Sequence, residues 1–205
     1  MARLHVGTFV TIDGVMQAPG GPDEDRDGGF EHGGWSFHYW DDAMGERITA
    51  STQRADALVL GRRTYEIFAA HWPRIGDDDP VGAKLNSVPK YVASRTLDEV
   101  TWKNSTLLEG DAAEAVGRLK EELEGEIQVT GSATLLQSLI EADLVDAYEL
   151  WVFPLVLGTG KRLFGDGAMP GAFKLAESQT SSTGVVIQAY ERAGDIEYGS
   201  FALDE

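Results

Sequence analysis

Cysteine is absent from the 205-residue chain, which excludes a disulfide scaffold, thiolate metal ligation and a cysteine nucleophile. Long hydrophobic runs are missing too, and no uninterrupted apolar stretch approaches the roughly 18 residues that a membrane span needs. The opening Met1-Ala2-Arg3 leads into an alternating pattern, not into the apolar block of a secretory signal. Positive charge is scarce. Against 34 acidic residues stand 17 lysines and arginines, a net charge of −17 that repels nucleic-acid backbones and acidic membrane surfaces. These gaps predict a cytoplasmic protein with neither a nucleic-acid nor a membrane partner.

What is present suits a globular core. Apolar residues make up 42% of the chain and charged residues 25%, ordinary proportions for a soluble domain. At this length a chain buries about 70% of its unfolded surface without metal or disulfide support. No internal repeat or linker interrupts it, so one domain over residues 1–205 is expected.

The pattern along the chain alternates strand and helix. Leu4 to Ile12 reads as a strand, closed by Asp13-Gly14, and Pro19 to Gly34 as a long Gly- and acid-rich surface loop. That loop is expected to be a mobile lid with solvated carboxylates, followed by the aromatics Trp35, Phe37, Tyr39 and Trp40. A helix follows from about Asp41 to Arg54, then a strand at Ala57 to Leu60, a helix at Arg62 to Ala70 and a strand at Tyr91 to Ala93. Asp77 to Asp79 reads as a solvated acidic loop. Asp111 with Glu114 makes a capping box before a helix bearing Ala112, Val116, Leu119 and Leu123. Ile127 to Val129, the helix Ala133 to Ala142 and the strand Asp146 to Phe153 continue the alternation. Phe173–Gln179 and Gly184–Arg192 read as an antiparallel hairpin, with an edge strand at Tyr198 to Leu203. This order predicts an α/β fold whose mostly parallel mixed sheet ends in a C-terminal hairpin.

Three strand ends carry chemistry. Gly61-Arg62-Arg63-Thr64 and Gly131-Ser132-Ala133-Thr134 each place a glycine at a strand-to-helix turn, where free N–H groups favour an anion. Ser94-Arg95-Thr96 ends a third strand, and its hydroxyls and guanidinium suit phosphate oxygens as Arg62 and Arg63 do. Sheet order can bring all three to the edge where α/β proteins bind ligands. Other patterns fail. Gly158-Thr159-Gly160-Lys161 lacks the earlier glycine and following hydroxyl of a P-loop, and no Gly-x-Gly-x-x-Gly follows the first strand. Asp23-x-Asp25-x-Asp27-Gly28 has Gly34 where a calcium loop needs Glu. His5, His32, His38 and His71 lack zinc-ligand spacing, so no metal is expected.

Thr11-Ile12-Asp13-Gly14-Val15, Leu60-Gly61-Arg62-Arg63-Thr64-Tyr65-Glu66 and Val129-Thr130-Gly131-Ser132 resemble the dihydrofolate reductase fold. Gly131 to Leu139, Leu144-Val145-Asp146 and Pro154 to Phe164 are similar to the reductase (C-terminal) domain of the bacterial riboflavin-pathway deaminase-reductase. The resemblance covers essentially the whole chain and describes a stand-alone member without the deaminase domain. It implies a three-layer α/β/α fold, an NADPH cofactor and a homodimer, with the apolar stretch Leu150 to Leu157 offering a seam. By matched motif it implies that Gly61, Arg62, Arg63 and Thr64 hold phosphates, with Ser94 and Arg95 beside the adenosine ribose phosphate. Gly131, Ser132, Ala133, Thr134 and Leu135 would meet the pyrophosphate, and the segment Val10 to Met16 would border the nicotinamide.

The expected activity is hydride transfer from NADPH to a small heterocyclic or carbonyl-type molecule. Asp13, Asp41 and Asp42 are candidate proton donors, each with the alternative of closing a turn or capping a helix. Trp35 and Trp40 are candidates for stacking on a flat substrate or for packing. The competing reading is an NADP(H)-binding protein without turnover, a redox sensor or scaffold.

Overall fold

The computed structural model describes residues 1–76, 78–165 and 168–201. Among the described residues, eight strands form one sheet: β1 (Arg3–Thr11), β2 (Ala57–Gly61), β3 (Lys90–Ala93), β4 (Ser105–Leu107), β5 (Glu126–Thr130), β6 (Ala147–Phe153), β7 (Phe173–Thr180) and β8 (Val186–Arg192). Their order is β4-β3-β2-β5-β1-β6-β8-β7. The first six are mutually parallel, and only β8 and β7 run antiparallel to their neighbours. Five α-helices cross between them: α1 (Asp42–Gln53), α2 (Arg62–His71), α3 (Pro80–Ser87), α4 (Ala112–Glu122) and α5 (Ala133–Glu141).

The period-2 alternation of the strands divides the core between two faces. Leu4, Val6, Ile127, Val129 and Tyr148 pack against Val116 and Leu119 of α4 and Leu135, Leu136 and Leu139 of α5. On the opposite face the apolar surface splits in two. Leu58, Leu60 and Val92 gather Tyr65, Val81 and Leu85 beneath α2 and α3, whereas Trp151, Phe153 and Ile187 gather Met44 beneath α1. The result is the three-layer α/β/α arrangement expected from the sequence.

Several local expectations change. Helix α3 and strand β4 went unread because both are short. Asp79 is not merely part of a solvated loop: it is the N-cap of α3, its carboxylate accepting from Gly82 N at 2.7 Å. Asp77 lies outside the described residues. Tyr198 to Phe201 form no strand, and Leu203 lies outside the described residues; β4 and β7 are the edges instead. Of the stretch Leu150 to Leu157 offered as a dimer seam, the part in β6 is hydrogen-bonded on both sides, to β1 and β8, whereas Val156 beyond it is exposed. The capping residue of α4 is as read, with Asp111 accepting from Ala113 N and Glu114 N.

Lys90 is wholly buried at the start of β3. Its Nζ donates to the carbonyls of Leu85 (2.7 Å) and Val88 (2.8 Å) at the end of α3 and sits 4.3 Å from the Trp102 ring centroid. Burial pushes its pKa down from 10.5 to about 8. The unfolded chain therefore holds this proton more tightly, so stability rises with pH between about 8 and 10.5. Relative to Lys90→Met, the wild-type protein should gain about 2 kcal/mol between pH 7.5 and 10. Urea unfolding of both proteins at each pH measures this; a constant difference would show that the lysine stays charged in the fold.

Candidate functional site

Because β3, β2, β5 and β1 are adjacent and parallel, their carboxyl ends share one edge of the sheet. A cavity of about 950 Å³ opens there. Strand β2 ends at Gly61 and α2 begins at Arg62; β5 ends at Thr130, and α5 begins at Ala133, with Gly131 and Ser132 between them. Both turns line the cavity, together with Ser94, Arg95 and Thr96 after β3.

The two glycine turns hold each other. Ser132, the N-cap of α5, has left-handed backbone angles (φ 66°, ψ 78°), rare for a non-glycine residue. Its hydroxyl lies 2.7 Å from Thr64 Oγ1 on α2. This approach requires glycine at position 61: a Cβ there would overlap Ser132 Oγ and stand 2.5 Å from Ser132 Cβ. Neither α2 nor α5 has a side-chain cap, whereas α1, α3 and α4 are capped by Asp41, Asp79 and Asp111. The first-turn N–H groups of the two cavity-facing helices thus lack a side-chain acceptor, the arrangement that receives an anion.

Deeper in, the cavity enters the gap between the two apolar clusters beneath α1. Its floor comprises His5 and Gly7 of β1, Gln128 of β5 and Glu149 of β6; Ser51 and Thr52 of α1 face them. Phe9, Ile48 and Trp151 supply apolar walls. Glu149 is 1% exposed and is held by Arg47, 2.7 Å away, and by Arg54 at 3.5 Å. Gln128 donates to Ser51 O (2.8 Å) and Glu126 Oε1 (2.6 Å). Burial pulls the His5 imidazole below its usual pKa, despite the opposing pull of Glu126 and Glu149.

The glycine-rich loop borders the mouth, as expected, but it is anchored, and two of its carboxylates, Asp25 and Asp27, are ion-paired. Asp25 and Asp27 each pair with both Arg63 and Lys161 at 2.6 to 2.8 Å. The Lys161 ammonium, with Arg63 beside it, holds the Asp27 carboxyl below the usual range. Gln17 Nε2 donates to the carbonyls of Asp25 (3.1 Å) and Asp27 (3.0 Å). Phe30 is buried with Val15 and Ala18. The Gly158-Thr159-Gly160-Lys161 stretch supplies the other side of this anchor. At Gly160 (φ 116°) a Cβ would stand 2.8 Å from both Phe30 and Val15, so glycine lets the strands of loop pack and brings Lys161 to the carboxylates.

The sequence-read cofactor residues Met16, Gly61, Arg62, Arg63, Thr64, Ser94, Arg95, Gly131, Ser132, Ala133, Thr134 and Leu135 all line this one cavity. Val10 does not; it packs into the core on the face covered by α4 and α5. Asp13, Asp41 and Asp42 also lie outside the described lining. Asp13 closes a turn, accepting from Thr11 Oγ1 (2.5 Å) and Gly158 N (2.8 Å), bonds that hold its carboxyl below the usual range. Asp41 caps α1 and accepts from Ser182 Oγ (2.7 Å), which lowers its pKa likewise, and Asp42 occupies the first turn of α1. Trp35 donates to Gln17 O at 2.8 Å and packs edge-on against Phe153. Trp40 stacks on Trp151 with centroids 6.3 Å apart, one layer behind the cavity wall. The floor residues His5, Gln128 and Glu149 were missed. Their signal was a polar side chain at a position where the strand alternation calls for an inward-facing one.

Gly61→Ala should destabilise the protein by about 1–3 kcal/mol through overpacking against Ser132. In a Ser132→Gly background the same change should cost far less, since the overlapping atoms are gone. A double-mutant cycle by urea unfolding measures the coupling; additive effects would place the strain elsewhere.

Comparison with known proteins follows the same lines. The RibD C-terminal domain family model matches residues 2–187. The Bacillus subtilis protein YyaP is 28% identical over 195 residues, covering 94% of this chain and 96% of its own. YwjB of the same organism is 28% identical over 138 residues, 67% of this chain and 74% of its own. Among solved structures, a protein assigned to riboflavin biosynthesis in Shewanella sp. PV-4 aligns with TM-score 0.66 and 22% identity, covering 94% of this chain and 99% of that one. A pyrimidine reductase-like protein of Corynebacterium diphtheriae aligns with TM-score 0.61 and 13% identity, over 94% and 92% of the two chains. Enterococcus faecalis dihydrofolate reductase complexed with NADP(H) aligns with TM-score 0.58 and 14% identity, over 94% and 97%. At these identities the structural likenesses establish a shared fold. With the family model spanning nearly its whole length, the chain belongs to the RibD C-terminal domain family.

Proposed function

We propose that this protein is an NADPH-dependent reductase acting on a small heterocyclic or carbonyl-type substrate, working as one domain in the cytoplasm. The observation that carries the reading is the convergence of three basic or hydroxyl-bearing strand ends on one cavity that continues into a separate polar compartment. The residues fit the dinucleotide. The uncapped first turns of α2 and α5 would receive the pyrophosphate, and Arg62, Ser94 and Arg95 the 2′-phosphate. Met16, in the cavity lining, would border the nicotinamide, which when bound supplies the hydride. The chain itself binds, orients and shields: Phe9, Ile48 and Trp151 exclude water around the acceptor, and the anchored loop narrows the mouth.

Cofactor choice tests the reading. NADPH should bind about 10–100-fold more tightly than NADH, because charge-assisted bonds to the 2′-phosphate contribute about 1.5–3 kcal/mol. Arg95→Ala should erase much of that preference while leaving NADH affinity nearly unchanged. Fluorescence titration measures both, and equal affinities for the two nucleotides in the wild-type protein would remove the arginines from this role. NADPH oxidation across a panel of heterocycles, quinones and carbonyl compounds then identifies the acceptor; tight binding with no oxidation of any kind would favour a non-catalytic binder. We also propose a homodimer, with its seam away from the doubly paired β6. Light scattering at micromolar concentration should return twice the 22.2 kDa chain mass.

A further inference from the structure

Gly7 is a gap in the cavity floor. No heavy atom lies within 4 Å of where its Cβ would be, so a flat group can rest on the backbone itself. Residues two apart on one strand face are spaced by about 6.6 Å, so His5 and Phe9 bracket that gap along β1. Register places Thr130 and Glu149 on either side of Gly7, and Gln128 beside His5. A ring lying on Gly7 has Thr130, next to the Gly131 turn, toward the nucleotide end, and His5 at its far edge.

Among the described residues, the carboxylates and the lysine that line the cavity are engaged. Arg47 and Arg54 hold Glu149, Arg63 and Lys161 hold Asp25 and Asp27, Asp111 caps α4, and Glu24 accepts from Gly20 N and Gly21 N. His5 is different. Its side chain is 9% exposed, and Nδ1 is buried with no hydrogen-bond partner among the described residues. The Glu126 carboxylate stands behind it, Oε1 3.6 Å from Nδ1, which leaves Nε2 as the nitrogen able to meet a bound molecule.

We propose that His5 is the proton-exchanging residue of this cleft, meeting the substrate through Nε2 while the Glu126 carboxylate behind Nδ1 positions the ring. The assignment rests on the reductase reading above. As hydride reaches the carbon of a substrate C=O or C=N bond, the heteroatom receives the electron pair of the broken π bond. It takes the proton from Nε2, whose N–H bonding pair remains on the nitrogen. The substrate is reduced, the dinucleotide oxidised, and neutral His5 regains its proton from water. Only the imidazolium donates. Glu126 of β5 and Glu149 of β6 favour it, whereas Arg54 after α1, Arg3 of β1 and, most strongly, burial disfavour it. Reduction should therefore slow as pH rises through the low-lying pKa of this imidazole.

Proton and nitrogen NMR of the four histidine rings decides the matter. The His5 midpoint should fall below 6.5 in the free protein and fall further in Glu126→Gln. It should also be lower in the NADP⁺ complex, with its cationic ring, than in the NADPH complex, while His32, His38 and His71 stay unmoved. With the acceptor reduced fastest in the panel, His5→Gln should lower kcat about 10²–10⁴-fold and abolish the pH limb, with NADPH affinity retained within twofold. Nucleotide binding that leaves the His5 midpoint untouched, or a pH limb that survives in His5→Gln, would overturn the role of His5 alone. Absence of nucleotide binding would instead overturn the reductase reading, and this role with it.

Discussion

The cleft depends on one contact, the meeting of two strand-to-helix turns at Gly61 and Ser132. Parallel strands oblige each crossover to begin at the same sheet edge, so neighbouring turns compete for space there. Here β2 and β5 are direct neighbours, and their turns interlock through a missing Cβ on one side and a left-handed serine on the other. The Thr64 hydroxyl secures the pair. That approach sets the first turns of α2 and α5 side by side in the lining of one cavity. The left-handed backbone of Ser132 is a local strain that the surrounding interlock holds in place.

A second organising feature is the division of one sheet face into two apolar clusters. Leu58, Leu60 and Val92 line one cluster and Trp151, Phe153 and Ile187 the other, and between them the sheet presents His5, Gln128 and Glu149 to the cavity. A buried carboxylate in such a place needs partners, and two arginines from the α1 segment supply them. The polar compartment is thus held open by ionic and hydrogen-bonded geometry, next to walls that aromatic stacking keeps rigid.

Much of this was legible in the sequence, and for local reasons. Glycine at the end of a short apolar run, followed by a helical pattern, signals a strand-to-helix turn, so Gly61 to Thr64 and Gly131 to Leu135 could be read from neighbours alone. Their convergence needed only parallel topology. The floor was harder. His5, Gln128 and Glu149 lie more than a hundred residues apart along the chain in part, and only strand register makes them neighbours. The aspartates at 13, 41 and 42 could not be sorted from the sequence for the opposite reason: each sits after a strand or at a helix start, where turn closure and capping use the same residue type as proton transfer. Short elements such as β4 carry too few residues for any periodicity to register.

The loop carboxylates have a consequence for anions in general. Asp25 and Asp27 occupy Arg63 and Lys161 from within the same chain, so any incoming anion competes with tethered counterions. A short tether gives such groups an effective concentration on the order of millimolar or above. Chloride or inorganic phosphate, bringing one weak contact, is poorly matched against that internal competitor. A molecule that binds elsewhere in the cleft at the same time brings its own phosphate to the arginine on equal, intramolecular terms. For a ligand of that kind, the protein's own acidity would by itself supply discrimination against the small ions of the surrounding solution.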